Sequence, residues 1–180
     1  MVQKLLKMIV CMVFILPLCG CNAMVLSQHL KMYAKAVEYR YISQEIVQRI
    51  KSSVTDRIVL DRAKTFYAAL VSDSSIFMDT MELEAKTNSL DDGIGDKFTA
   101  LAQAFNDLKE FIPDTVSNLG PNAVVSSSMT ACEFGAQAKG KAAADEIKMA
   151  IGDKTRSRGE RVSAIVVLLD QNRWLQWGKI

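Results

Sequence analysis

Hydrophobic residues recur at helical spacing along most of this chain, and each stripe ends at a recognisable stop signal. Leu30, Tyr33 and Val37 lie three or four apart, and Tyr39, Ile42, Ile46 and Ile50 continue the step, while Gln, Lys, Arg and Glu fill the other face. This spacing predicts a helix over 27–52. A second periodic stretch over 55–89 carries Ile58, Ala63, Phe66, Leu70, Phe77 and Met81. Its middle, Asp73-Ser74-Ser75, predicts a kink, because these side chains compete for local backbone groups. Residues 88–95 are rich in Asn, Asp and Gly and read as a turn.

A third helix is expected from Asp96, taken as its cap, with Phe98, Leu101, Ala102, Phe105, Leu108 and Ile112 on one face and Pro113 as its end. Residues 114–128 surround Gly120-Pro121 and read as a loop. Thr130 and Glu133 stand in capping-box relation, so a fourth helix is expected from there to Gly152. Ala136, Gly140 and Ala144 lie four apart on it and should let another helix approach closely. Ser157 and Glu160 form a second capping box before Val162, Ile165, Val166 and Leu169, which predicts a fifth helix. The β-branched run over 164–169 leaves a hairpin turning at Asp170-Gln171-Asn172 as the other reading. The fold expected is an all-α bundle of four to five helices over 27–180.

The front of the chain differs in kind. Lys4 and Lys7 precede an uncharged apolar run over 8–18, the layout of a secretory signal. At its end stands Leu18-Cys19-Gly20-Cys21, which resembles the lipobox of bacterial lipoproteins. The resemblance implies a diacylglyceryl group on the Cys21 thiol, cleavage after Gly20, and acylation of the new amine, for which palmitate is a fitting chain. The chain then divides into a signal peptide over 1–20, a lipidated N-terminus and short tether over 21–26, and the helical domain. An uncleaved membrane helix is the weaker reading, because Pro17, Gly20 and Asn22 interrupt the run. Either way the positive side stays inside and the body lies outside the cytoplasm. Asn22, rather than Asp, resembles the sorting signal for the periplasmic face of the outer membrane in Gram-negative bacteria.

Composition now has to be read on the mature chain. The 180 residues are 49% hydrophobic with three prolines, enough for one domain with a substantial core. Loss of Lys4 and Lys7 brings the 22 basic residues level with the 20 acidic ones. A neutral body lacks the basic surplus of a nucleic-acid binder, so no nucleic acid is expected as partner. Cys11 and Cys19 leave with the signal and Cys21 carries lipid, so Cys132 has no thiol to pair with inside the chain. Residues 73–114 hold ten acids and three lysines, whereas the flanking regions are each basic. Complementary faces that hold the bundle together are one reading of this asymmetry, and ordinary solvated faces are the blander one.

Catalytic and metal constellations are sparse. His29 is the one histidine, which supports neither zinc nor copper, and just past the lipid site it reads as a solvent or interface residue. The run from Asp91 to Asp96 approaches a calcium loop but lacks its alternating ligands and terminal glutamate, so a turn with a helix cap is preferred. Cys132, close to the expected start of the fourth helix, would have a lowered thiol pKa, yet no motif supplies a base and an inert cysteine is commoner. Ser126 to Ser128 lack a nucleophile-elbow context, and Glu82 and Glu84 fall on different helix faces. No cofactor, no metal and no catalytic set is assigned.

Two groups remain as contact candidates. Lys154, Arg156, Arg158 and Arg161 form a basic cluster at the start of the last helix, suited to lipid headgroups or an acidic partner, though a solvated turn explains it too. Trp174 and Trp177 suit a membrane or partner surface, with core packing as the default. Function is therefore expected to be that of an envelope lipoprotein, binding a protein partner as a secretion, conjugation, exclusion or immunity accessory. The alternatives are an envelope hydrolase using carboxylates of the acidic middle, and a bundle that carries an apolar ligand.

Overall fold

Five long apolar stripes need covering, and the chain covers them by packing helices on one another. The computed structural model describes the backbone of residues 2–116 and 123–180, with side chains over 24–111 and 132–180. The helices are α1 (Val2–Ser53), α2 (Arg57–Thr87), α3 (Ile94–Val116), α4 (Ala123–Gly152) and α5 (Arg158–Gln171), followed by a 3₁₀ turn at Trp177–Lys179. The all-α bundle expected from periodicity is what forms, and no strand occurs among the described residues. The lipobox residues, Gly20 and Cys21 included, lie outside the described side chains. Among the described residues no helix is long and apolar enough to cross a membrane.

α1 packs most extensively along α4, α2 pairs with α3, and α5 bridges α4 and α2. The α1/α4 seam is close because Gly140 faces the Ala34 backbone, where a Cβ would stand 2.2 Å from the Ala34 carbonyl oxygen. Ala136 and Ala143 are buried on the same helix, so the small residues do bring the two helices together. On the other flank Tyr39 stacks on Phe105 with centroids 4.1 Å apart, and Phe98 lies against both Tyr39 and Phe77.

Several local signals are overruled. α2 is unbroken through Asp73-Ser74-Ser75, where Ser74 is buried and its hydroxyl donates to the Val71 carbonyl at 2.9 Å within the helix. Asp96 is not a cap. α3 begins at Ile94 and places Asp96 in its first turn, where a carboxylate suits the helix dipole. α3 also continues past Pro113 to Val116; proline can donate no bond to the Lys109 carbonyl, a loss confined to the last turns. α4 starts at Ala123, well before Thr130, so the Thr130/Glu133 pair is interior and residues 123–128 of the expected loop are helical. Serines at 126–128 are only mildly unfavourable in a helix, and Gly120-Pro121 lie outside the described residues.

The fifth segment is helical. Ser157 and Glu160 form the reciprocal capping box, with Glu160 Oε2 accepting from the Ser157 N–H at 2.7 Å. Ile165 and Leu169 are buried beneath it. The uneven charge finds a use here: Arg173 reaches across to Asp79 and Glu82 on α2, at 2.7 and 2.8 Å, so a basic end grips the acidic middle.

Two phenols are locked into this interior. Tyr33 donates to the Leu168 carbonyl at 3.4 Å and Tyr67 to that of Leu175 at 2.9 Å. Burial pushes the Tyr67 hydroxyl up to about 12 and raises Tyr33 further still. Both folded-state values lie above the ordinary 10.0, so their stabilisation is complete below that pH and lost as pH climbs through the folded values. The thermal midpoint should therefore fall between about pH 10 and pH 12, and Tyr67→Phe should flatten that decline. An unchanged pH dependence in the variant would remove Tyr67 from the account.

Candidate functional site

The α4/α5 connection carries the basic cluster to one end of the bundle, the end where α1 enters at Met24 to Leu30. α2 ends there too, at Asn88, whose left-handed backbone (φ 58°) closes the helix with its N–H on the Glu84 carbonyl at 2.8 Å. Asn tolerates that conformation better than most residues. The turn that follows is built around Asp91, which accepts the Gly93 N–H at 2.7 Å and the Lys97 ammonium at 2.6 Å. Those bonds, Lys97 first, hold its carboxyl below the usual carboxylate range. The acidic turn is thus organised as a cap on α3. Among the described residues no set of three metal-binding side chains converges.

Beneath this turn lies a buried polar pair. His29 on α1 is 4% exposed and Glu84 on α2 is 8% exposed. The imidazole Nδ1 stands 3.1 Å from both carboxylate oxygens, and Glu84 Oε1 also accepts the Asp91 N–H at 2.7 Å. The histidine expected at a solvent or interface position is therefore an interior one. A carboxylate with two partners is what allows a polar ring to sit there.

The first turns of α5 divide the surface in two. Arg158, Arg161, Val162 and Ile165, at i, i+3, i+4 and i+7, line a cleft of about 620 Å³ with Leu30 and Ile151. Glu84 and Asp92 face the same cleft. Arg158 donates to the Lys86 carbonyl at 3.2 Å, tying α5 to the end of α2. On the other side Glu160, Ser163, Ala164 and Val167 line an open groove against α4, with Met149 and Arg156 across from them. Met149 and Val167 are 67% and 53% exposed. Arg156 is held by Asp153 at 3.1 Å, and Asp153 is in turn kept below its usual pKa by the Thr155 hydroxyl and N–H.

The sequence-level candidates therefore separate. Lys154, Arg156, Arg158 and Arg161 come together at one end, Lys154 fully on the surface. Trp174 and Trp177 lie elsewhere, against Tyr67 on α2, with ring centroids 6.2 and 6.1 Å away. Trp174 is 7% exposed and belongs to the core, while Trp177 is half-buried under the Lys51 ammonium. Cys132 is half-buried in the interior of α4, away from its first turn, and burial pushes its thiol pKa up. It is a poor nucleophile in that setting. The pairing of His29 with Glu84 had no local signal, since 55 residues separate them. Comparison with protein-family models, with curated proteins and with solved structures finds no match to this chain.

Proposed function

We propose that this protein is an envelope lipoprotein, anchored through Cys21 and acting by binding a protein partner. The observation that carries the reading is the α4/α5 groove, whose lining includes the exposed Met149 and Val167 together with Arg156 and Glu160. A contiguous apolar strip with a charged rim is the usual form of a protein contact surface. The hydrolase reading gains no such support. Four of the ten middle acids are engaged structurally, Glu84 with His29, Asp91 with Lys97, and Asp79 and Glu82 with Arg173. Asn22 after the acylated Cys21 would favour the periplasmic face of the outer membrane in a Gram-negative cell, and the anchor would restrict the partner to the envelope.

The test joins the anchor and the groove. A photo-crosslinking residue at Met149 or Val167 should give one discrete adduct in cells, and the same probe at Ile58, exposed on α2, should not. Cys21→Ser should release the chain from the membrane and abolish that adduct. Equal adducts at all three positions would discard the groove, and a Cys21→Ser chain processed and membrane-bound like the parent would discard the anchor.

A further inference from the structure

The cleft between α1, α2, α4 and α5 has a different character from the groove, and we propose that it holds one anionic phospholipid of the membrane. The acyl chain lies against the half-buried Leu30, Ala85, Ile151 and Val162, over the buried Ile147 and Ile165, and the phosphate meets Arg158 and Arg161. The proposal rests on the lipoprotein reading for its placement at a bilayer. Val25, on the cleft wall, is four residues past Cys21, and four residues of helix advance about 6 Å.

The charges fit a single anionic headgroup. Arg158 spends one N–H on the Lys86 carbonyl, which leaves most of a five-donor fork available. Arg161 makes no ion pair with a described residue; Asp153 lies close enough to sense it but is itself bonded to Arg156. Of the facing acids, Glu84 is satisfied by His29 and the Asp91 N–H. That leaves Asp92 against two guanidinium groups, a positive balance suited to phosphate. The walls beneath are aliphatic, contributed by four helices, so headgroup and chain have separate places. The cleft, about 620 Å³, lies within the range of small-ligand sites and takes the headgroup and part of one acyl chain, the rest of the lipid staying in the bilayer.

The full chain, purified from membranes and reconstituted in phosphatidylcholine vesicles, is photolysed with trace phosphatidylglycerol or trace phosphatidylcholine carrying a diazirine in the acyl chain. Adducts are mapped by peptide mass, and the intact mass reports separately whether Cys21 is lipidated. Phosphatidylglycerol should label the peptides around Leu30, Ile151 and Ile165 at least about fivefold more than phosphatidylcholine, the discrimination expected of a single well-placed arginine. Arg158→Gln with Arg161→Gln should erase that preference while unfolding at the parent temperature. Ala85→Phe, which fills the cleft wall and keeps both arginines, should reduce labelling by either lipid. Equal labelling by the two lipids, labelling indifferent to the arginines, or none at these peptides, as when a partner helix or a second copy occupies the cleft, overturns the proposal. A parent chain without the diacylglyceryl mass would end the anchor reading alone, since labelling is scored independently of it.

Discussion

Gly140→Ala should lower the stability of this protein by about 2 kcal/mol, roughly 4–8 °C in the thermal midpoint. Alanine is the better helix former by about 1 kcal/mol, so propensity alone gives the opposite sign. The added methyl, however, would stand 2.2 Å from the Ala34 carbonyl oxygen, 3.1 Å from its carbon and 3.4 Å from the Glu38 nitrogen. All three are backbone atoms of α1, which cannot rotate out of the way, so the two helices must separate along their whole contact. That contact is the most extensive in the bundle. Gly135, on the same helix, has nothing within 4 Å of its virtual Cβ, and Gly135→Ala should stabilise by about 0.5–1 kcal/mol. Denaturant unfolding of the pair gives the answer by sign. If Gly140→Ala also stabilises, α1 and α4 are not in close contact at this point.

Why that seam was legible and other features were not follows from the range of the interactions. Ala136 and Gly140 announce close packing because small residues four apart share a helix face whatever the surroundings. Leu101, Phe105 and Leu108 are likewise buried as their spacing requires. The capping box at Ser157 and Glu160 formed because all its partners lie within one turn. Local signals failed where a longer-range demand outweighed them. Pro113 lies within α3 and the Thr130/Glu133 pair within α4, and Ser74 satisfies its hydroxyl inside α2 rather than breaking it.

The candidate site was only half visible for the same reason. Spacing puts Arg158, Arg161 and Ile165 on one face of α5 and Glu160 and Val167 on another. Which face looks inward depends on α2 and α4, and no pattern within α5 states that. The basic cluster was legible as a cluster, but its division between a cleft and a groove was not. Trp174 and Trp177 fell by default on the core because Tyr67, their partner, is more than a hundred residues away. The charge asymmetry proved informative at Arg173, which joins two acids of α2. Such a contact is modest in energy at a partly exposed site, and its value is in holding the last segment in register.

Glu84→Ala should be the second large loss, about 3 kcal/mol, the cost of leaving two buried donors without their acceptor. Removing the carboxylate strands two donors at once, the His29 imidazole and the Asp91 N–H, in a place where water does not reach easily. The loss should be felt first at the turn. Glu84 is the link between the end of α2 and the start of α3, so amide exchange at Asp91 and Gly93 should accelerate more than the global change requires. Glu84→Gln keeps an acceptor for the Asp91 N–H and should cost less. His29→Leu combined with Glu84→Met removes both polar groups, and it should recover much of the stability lost by Glu84→Ala. Urea unfolding of the parent, His29→Leu, Glu84→Met and the double variant closes a double-mutant cycle. A Glu84→Ala protein as stable as the parent would mean that the pair is solvated and that the end of the bundle is held by its apolar contacts. The expected outcome makes the pair a device for fixing the α2/α3 turn over the cleft, since an apolar substitute restores stability but leaves nothing to hold the Asp91 N–H.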